Sequence, residues 1–569
     1  MAAAQPTSSE RAFERFTREY LDHYFAAEPV AATEAGDHRF DARLPDYSRK
    51  AIDAEIASLA AFRTRLAKIV PEKLPREVRQ DRAILMNEIE KRLFSLETLR
   101  VWERNPLVYT RVIGDGIRTL LARDFAPGPD RVRSAIERMK AIPAVLDAGK
   151  ANLINPPRVH AETALRQNEG AIEFFEKDVP AAIDSLAPEL AADGKRVAKE
   201  AADALRAYQW FLEEELVLRS NGAYSIGYAA FRRRIELAFC EPVDPDSIYM
   251  RAEEEFELVR EEIYRLAVPI HDEVFPAHVH GTHTAVVRNA IVREALGAAA
   301  VDRLQPEELL SICRTEVDSL LAFVRSKDLV ELGDLPPLSI EWTPAFSRGV
   351  AVAGLDAPGP LDEGQRSFFF VAPVPASWTP LQVDSYLREY NREMLRILSI
   401  HEAVPGHYVQ LVRSNRHGSL VRSIFTNGPM VEGWAVYGEH WMLDAGYGGG
   451  DPRLRLQQLK LYLRTVANAI LDYRVHVMNI SEQEAMDLLV DGAYQEESEA
   501  RGKWTRARLG AGQLSTYFGG YLAIRDLETA YRESKGDAFR QKDFNEALLA
   551  SGSPPVWALR ENLLGTGTP

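Results

Sequence analysis

Apolar residues recur along most of the chain at spacings of three and four, the signature of helices that bury one stripe. Leu85, Ile89, Leu93, Leu96 and Leu99 fall on one such stripe, and Ala252, Phe256, Val259, Ile263 and Leu266 on another. Asp244-Pro245-Asp246-Ser247 precedes the second, a start signal with acidic residues crowding the first turns. The stretch from Ala182 to Leu218 reads as one long helix or two stacked ones. No repeat at a fixed period and no low-complexity tract is evident. Residues 337 to 374 depart from the helical pattern. There GVAVAG and SFFFVAPVP are β-prone runs separated by the turn-rich APGPLDEGQ, which predicts a hairpin or small sheet. The expected fold is mostly α, a large helical body with a deep cleft and a small β element.

At 569 residues the chain exceeds the size at which one compact core stops growing. Two lobes are expected, an N-terminal helical lobe over 1–265 and a catalytic lobe over 266–569. Hydrophobic residues make up 46% and charged residues 27%, a globular balance that argues against disorder. The formal net charge is −15, and the basic stretches RAFERFTR and FRRRIELAF are short and helical, so nucleic acid is not an expected partner. Two cysteines, Cys240 and Cys313, are too few for a disulfide framework or a thiol-based metal site and read as buried thiols. MAAAQPTSSERAFERF has neither the basic start nor the apolar core of a signal peptide. No segment approaches the ~18 uncharged apolar residues needed to span a bilayer. A cytoplasmic protein without a membrane partner is expected, of unknown oligomeric state.

Two histidine clusters bear on chemistry. HVHGTH, with His278, His280 and His283, lies in a Pro/Gly-containing loop whose nearby carboxylates are Asp272 and Glu273, and it reads as exposed and incidental. The stronger cluster is in SYLREYNREMLRILSIHEAVPGHYVQLV. Leu387, Tyr390, Met394, Ile397 and His401 recur at helical spacing, which sets His401 on the apolar face, followed at once by Glu402. In the common zinc-peptidase helix, HExxH presents two imidazoles on one face and the glutamate acts as general base. Here the second histidine, His407, is six residues on, a rotation of about 240° on an undistorted helix. Pro405 cannot donate to the carbonyl of residue 401, and Gly406 tolerates the dihedrals that follow. A two-residue bulge at this place would return His407 to the face of His401.

Catalytic zinc has three protein ligands and an open position. NGPMVEGWAVYGEHWM supplies a third, with Asn427-Gly428-Pro429 as a helix start and Glu432 in the first turn. Glu432 and Glu439 share a face roughly 10 Å apart along the axis, too far to ligate one ion together. Glu432 is therefore assigned to zinc and Glu439 to orienting a ligating histidine. The expected chemistry is hydrolysis by activated water, with Glu402 as base. The same ligands suit a peptide or a small amide or ester substrate, and a helical binding protein with a vestigial site is the reading from another class.

HEAVPGHYVQ followed by VEGWAVYGE resembles the bacterial domain-of-unknown-function 885 family, as do GDHRFDARLPDYS and GQLSTYFGG near the two ends. That family is similar to zincin-type metallopeptidases and, more distantly, to the thimet-oligopeptidase and angiotensin-converting-enzyme type, helical bodies split by a long cleft. The resemblance implies His401, His407 and Glu432 as metal ligands and Glu402 as base. It also implies a tyrosine and a histidine from the C-terminal helices reaching over the zinc. Tyr517 is the first candidate, with Gln513 one turn earlier, and His476 is the second. The strand edge within 347–374 is positioned to pair with an extended peptide.

Overall fold

The computed structural model describes residues 6–278, 280–282, 284–300, 304–348 and 352–565. Among the described residues helices make up nearly all of the regular structure, with three short strands in addition. No described helix is long and apolar enough to cross a membrane. Cys313 is buried and Cys240 partly buried, both as free thiols.

The helix expected around 252–266 is the middle of Pro245–Val274. Its Asp244 side chain accepts from the Asp246 backbone N–H, and Pro245 occupies a position where no N–H is needed. Ala252, Phe256, Val259 and Ile263 are buried, and Leu266 packs partly buried against the same core. Residues 265 and 266, at which the two expected lobes would meet, both lie inside this helix. The earlier stripe is buried at Leu85, Ile89 and Leu93 on helix Arg76–Leu93. A wider π turn over Phe94–Thr98 follows, and Leu96 and Leu99 are only partly buried. Between Ala182 and Leu218 the chain breaks into Val179–Leu186 and Ala191–Phe211, the second continued by a π turn over Leu212–Leu216 and the short helix Val217–Arg219. Pro188 forces the break by pushing Ala187 out of the helical region, to φ −154° and ψ 69°.

Three apolar cores result. The largest gathers residues from Phe231 to Leu559. The second is built from Leu107 to Leu216 and takes in Phe346, and the third from Phe13 to Leu93 and takes in Val421 and Phe425. Both N-terminal cores thus bury side chains supplied by the later half of the chain.

The β element is a three-stranded sheet in the order β1-β3-β2, with β1 at Leu338–Trp342, β2 at Ala353–Asp356 and β3 at Ser367–Val371. β2 and β3 are antiparallel, as a hairpin requires, and β1 adds in parallel on the other side of β3. Side chains alternate along β3. Phe369 and Val371 join the largest core, while Phe368 and Phe370 stack at 5.8 Å beneath the guanidinium groups of Arg118 and Arg123. Arg118 also pairs with Asp356 at 2.9 Å, and Arg123 donates to the carbonyls of Ala357 and Arg366. The sheet therefore couples the N-terminal helices to the largest core.

A second tie uses the GDHRFD segment. His38 Nδ1 lies 3.0 Å from Asp41 and Nε2 3.0 Å from Asp362, in the loop between β2 and β3, and its ring stacks on Phe125 at 3.7 Å. Burial disfavours the imidazolium, but the two carboxylates outweigh it and push its pKa up to about 9. A folded-state pKa above the ordinary 6.5 means that the bridge stabilises fully below 6.5 and loses its contribution as pH rises through about 9. His38→Asn should therefore lower the urea midpoint strongly at pH 6 and much less at pH 10. Equal losses at both would contradict a charged bridge.

Candidate metal centre and cleft

The stripe leading to His401 is shared by two helices. Leu387 lies on Pro380–Glu389, and the chain restarts at Asn391, whose side chain accepts from the Met394 N–H to cap Arg392–Glu402. That second helix ends where Ala403 takes φ −115° and ψ −84°, and His407 opens another, His407–Asn415. Across the junction the Gly406 N–H reaches the Ile400 carbonyl at 3.0 Å and the Val409 N–H the Ala403 carbonyl at 3.4 Å. Each bond spans six residues where an α-helix spans four, so two extra residues are accommodated. The insertion takes the form of a break between helices instead of a bulge within one, because Pro405 has no N–H to carry the ladder on.

His407 thereby comes to face His401, with ring centroids 4.8 Å apart and planes at 85°. Gly406 serves by lacking a side chain, not by a left-handed dihedral. Its φ is −67°, and a Cβ there would lie 1.9 Å from the His401 carbonyl oxygen. The adjacent helix Gly428–Asp444 holds the junction, its Trp434 indole N–H donating to the Pro405 carbonyl at 2.9 Å.

That helix starts as expected, with the Asn427 side chain accepting from the Met430 N–H. Its first acid, Glu432, sets Oε2 3.7 Å from His401 Nε2 and 3.5 Å from His407 Nε2. Two turns on, Glu439 Oε1 is 2.7 Å from His401 Nδ1. An Nδ1–H donated to Glu439 leaves the Nε2 lone pair of His401 aimed at Glu432 and His407. No described residue hydrogen-bonds Glu432 Oε2, Glu402 Oε2, Glu439 Oε2 or His407 Nδ1, although all four atoms are buried. Burial acts to raise the Glu432 carboxyl, but the two imidazoles hold it well below the usual carboxylate range. Burial acts against the His401 imidazolium too, and there Glu432 and Glu439 win, pushing the group well above its ordinary value. The cluster is a trap for positive charge.

Tyr517 is brought beside it by a close helix crossing. Helix Ser515–Lys535 meets Gly428–Asp444 where a Cβ on Gly520 would lie 1.9 Å from the Pro429 carbonyl oxygen and one on Gly433 2.4 Å from Gly520. The Tyr517 ring centres 6.3 Å from that of His401. Its hydroxyl oxygen accepts from Arg506 at 2.9 Å and from Gln513 at 3.3 Å, which leaves the hydroxyl proton free to point elsewhere. Arg506 also donates to the Gln513 side-chain oxygen Oε1 at 2.9 Å, fixing all three side chains. Sequence reasoning missed Arg506. It lies on a separate helix, Glu497–Leu509, and no local spacing links it to Tyr517.

The structure does not bring His476 to this centre. His476 is buried on the π turn Arg474–Met478, its Nε2 bonded to the Ala507 carbonyl at 2.8 Å and its ring stacked on Phe231. Asp472, on the same face, accepts from the backbone N–H groups of Gly512 and Ser515 and so shapes the turn that leads to Tyr517.

His401, Glu402, Glu439, Arg506 and Tyr517 line a cavity of about 770 Å³. The rest of its wall includes Arg166 and Glu169 of helix Arg158–Glu173, and Trp342, Ala353 and Ala372 at the rim of the sheet. The cavity is cationic on one side, where Arg464, Lys503 and Arg506 gather around Glu499. Burial lowers the Lys503 pKa to about 7.

Residues 29–563 match the model of a family described as bacterial protein of unknown function, DUF885, and the chain belongs to that family. No curated protein matches it. A structure from Shewanella oneidensis, of a proposed lipoprotein of unknown function, is 31% identical, with a TM-score of 0.78 over 97% of this chain and 99% of that one. A proposed lipoprotein from Colwellia psychrerythraea shares the fold at 16% identity, with a TM-score of 0.74 over 98% of this chain and 99% of that one.

Gly406→Ala tests the junction. The added Cβ must displace the His401 carbonyl, and the variant should lose about 2–3 kcal/mol of stability in urea titration. A midpoint matching the wild type would show that the break does not depend on this contact.

Proposed function

We propose that the chain is a zinc-dependent hydrolase, cleaving peptides held in the cavity beside His401. The observation that carries this reading is the convergence of His401 Nε2, His407 Nε2 and Glu432 Oε2, all within 4.8 Å of one another. Tetrahedral zinc with bonds of about 2.1 Å separates its ligand atoms by roughly 3.4 Å. The 3.5 and 3.7 Å separations from Glu432 fit that geometry and are too long for hydrogen bonds. The orphaned Glu432 Oε2 and the carboxylate behind His401 fit it as well. Two imidazoles and one carboxylate are a hydrolytic zinc donor set with room for an open position. The likeness to zincin-type peptidases rests on this geometry and on the sequence motifs.

Zinc, when bound, supplies Lewis-acid polarisation of a carbonyl and acidifies water. The remaining work falls to the chain. Glu439 holds His401 in the tautomer that presents Nε2. Glu402, on the cavity wall with Oε2 free of partners, takes the proton of the attacking water and passes it to the departing amine. Tyr517 donates its hydroxyl proton to the oxygen that gains charge as the carbonyl is attacked. Arg506 and Gln513 position that hydroxyl and keep its lone pairs engaged. The cationic wall suits a substrate carboxylate. Two similar solved structures are described as proposed lipoproteins, which weakens the cytoplasmic setting expected from the sequence.

Two substitutions separate these roles, measured on zinc-loaded protein against a panel of peptides and small amides. Glu402→Gln should keep its zinc and lose about 10²–10⁴-fold in kcat. Full activity would remove Glu402 from the reaction. Tyr517→Phe should cut kcat by about 10²–10³-fold with KM little changed. A loss confined to KM would make Tyr517 a binding residue.

A further inference from the structure

We infer that the chain holds a second divalent-metal site, remote in sequence from the first, where His280 meets His271 and Glu294 of two helices. Two groups of described residues present metal-ligand atoms within 4.8 Å of one another, and the second is His271, His280 and Glu294. His271 lies on the last turn of Pro245–Val274 and is fully buried. Glu294 projects from the next helix, Ala285–Ala299. The loop between the two helices brings His278 and His280, while His283 lies outside the described residues. The sequence gives this loop no carboxylate closer than Asp272 and Glu273. The fold adds Glu294, and it adds a third imidazole from within the helix.

The geometry is that of donors turned toward one point. His271 Nε2 is 2.8 Å from Glu294 Oε2 and 3.3 Å from His280 Nε2. His278 Nδ1 is 3.3 Å from the same Glu294 oxygen, its ring held by stacking on Phe275. On the far side of His271, Nδ1 lies 3.1 Å from Asp272 Oδ1. An Nδ1–H donated to Asp272 leaves Nε2 with a bare lone pair. That lone pair then faces a carboxylate oxygen at hydrogen-bond distance and a second ring nitrogen, a setting that favours a proton or a metal ion between the groups. A proton on Nε2 points along one line and satisfies one of the two contacts. A metal ion satisfies both, and the carboxylate supporting the imidazole from behind is the usual companion of a ligating histidine.

Two imidazoles and one carboxylate oxygen select a first-row transition ion such as zinc over calcium or magnesium, which prefer oxygen alone. His271, His280 and Glu294 supply three protein donors, and His278, 3.3 Å from the shared Glu294 oxygen, stands beside them. An ion there would clamp the end of one long helix to the middle of the next and fix the connection between them. The site shares no residue with the centre at His401.

The probe is zinc itself, counted by mass spectrometry on the full chain after loading and exhaustive dialysis. The background is His407→Asn with Glu432→Gln, which removes the other centre. This protein should retain one equivalent of zinc and melt at a higher temperature with zinc than without. Adding His280→Asn, or independently Glu294→Gln, should abolish both the equivalent and the thermal shift. Both positions are partly exposed, so a folded chain is expected, as far-UV circular dichroism will verify. A background protein that holds no zinc overturns the site, as does zinc retention undiminished by either added substitution.

Discussion

Between His401 and His407 the chain has to supply two residues more than an α-helix would tolerate, and the way it does so sets the position of everything around the centre. Val404-Pro405-Gly406 ends one helix and starts the next in the space of a single turn. The carbonyls of Ile400 and Ala403 are paired across six residues, and the Gly406 backbone is pressed against His401 where no side chain fits. The Trp434 indole then locks the Pro405 carbonyl to the helix that carries Glu432 and Glu439. That bond, with the Gln410 amide donating to the Met430 carbonyl at 3.2 Å, ties the helices of the two imidazoles to the helix of the two acids. The neighbouring helix comes close enough to deliver Tyr517 because Gly433 and Gly520 allow backbone to touch backbone.

The electrostatic consequence is a buried group of acids and imidazoles whose charges are unbalanced without a cation. Glu432 is held ionised by its neighbours, Glu439 is buried against His401, and Glu402 keeps an oxygen without a partner. Folding polar groups into such a place costs stability. Retaining them is understandable if a ligand completes their bonding. Arg166, Glu169 and Glu173, from the first half of the chain, line the cavity together with the rim of the sheet. The cleft is therefore made by both halves of the chain.

Much of this was legible in the residues themselves. Helical stripes at 85–93 and 252–263 are regular enough to locate their buried faces, and Asp244 and Asn427 mark helix starts that the structure reproduces. The six-residue histidine spacing with Pro405-Gly406 inside it predicted a two-residue bulge at this place, and the structure has the distortion there as a break between two helices. What could not be read was whatever depended on distant segments meeting. Arg506 reaches Tyr517 from another helix, and β1 is a five-residue strand whose pairing with β3 is not announced by alternation. Glu294 joins the HVHGTH loop only after two helices pack side by side. His476 shows the converse. Its spacing from Asp472 suggested a shared functional face, yet packing against Phe231 and the Ala507 carbonyl turns it inward.

The central claim is that one ion sits among His401, His407 and Glu432. Anomalous diffraction across the zinc absorption edge, from crystals of the zinc-loaded chain, tests it without reference to any substrate. The account predicts a peak about 2.0–2.2 Å from His401 Nε2, His407 Nε2 and a Glu432 carboxylate oxygen. Well-ordered side chains at these positions with no anomalous density among them would contradict it.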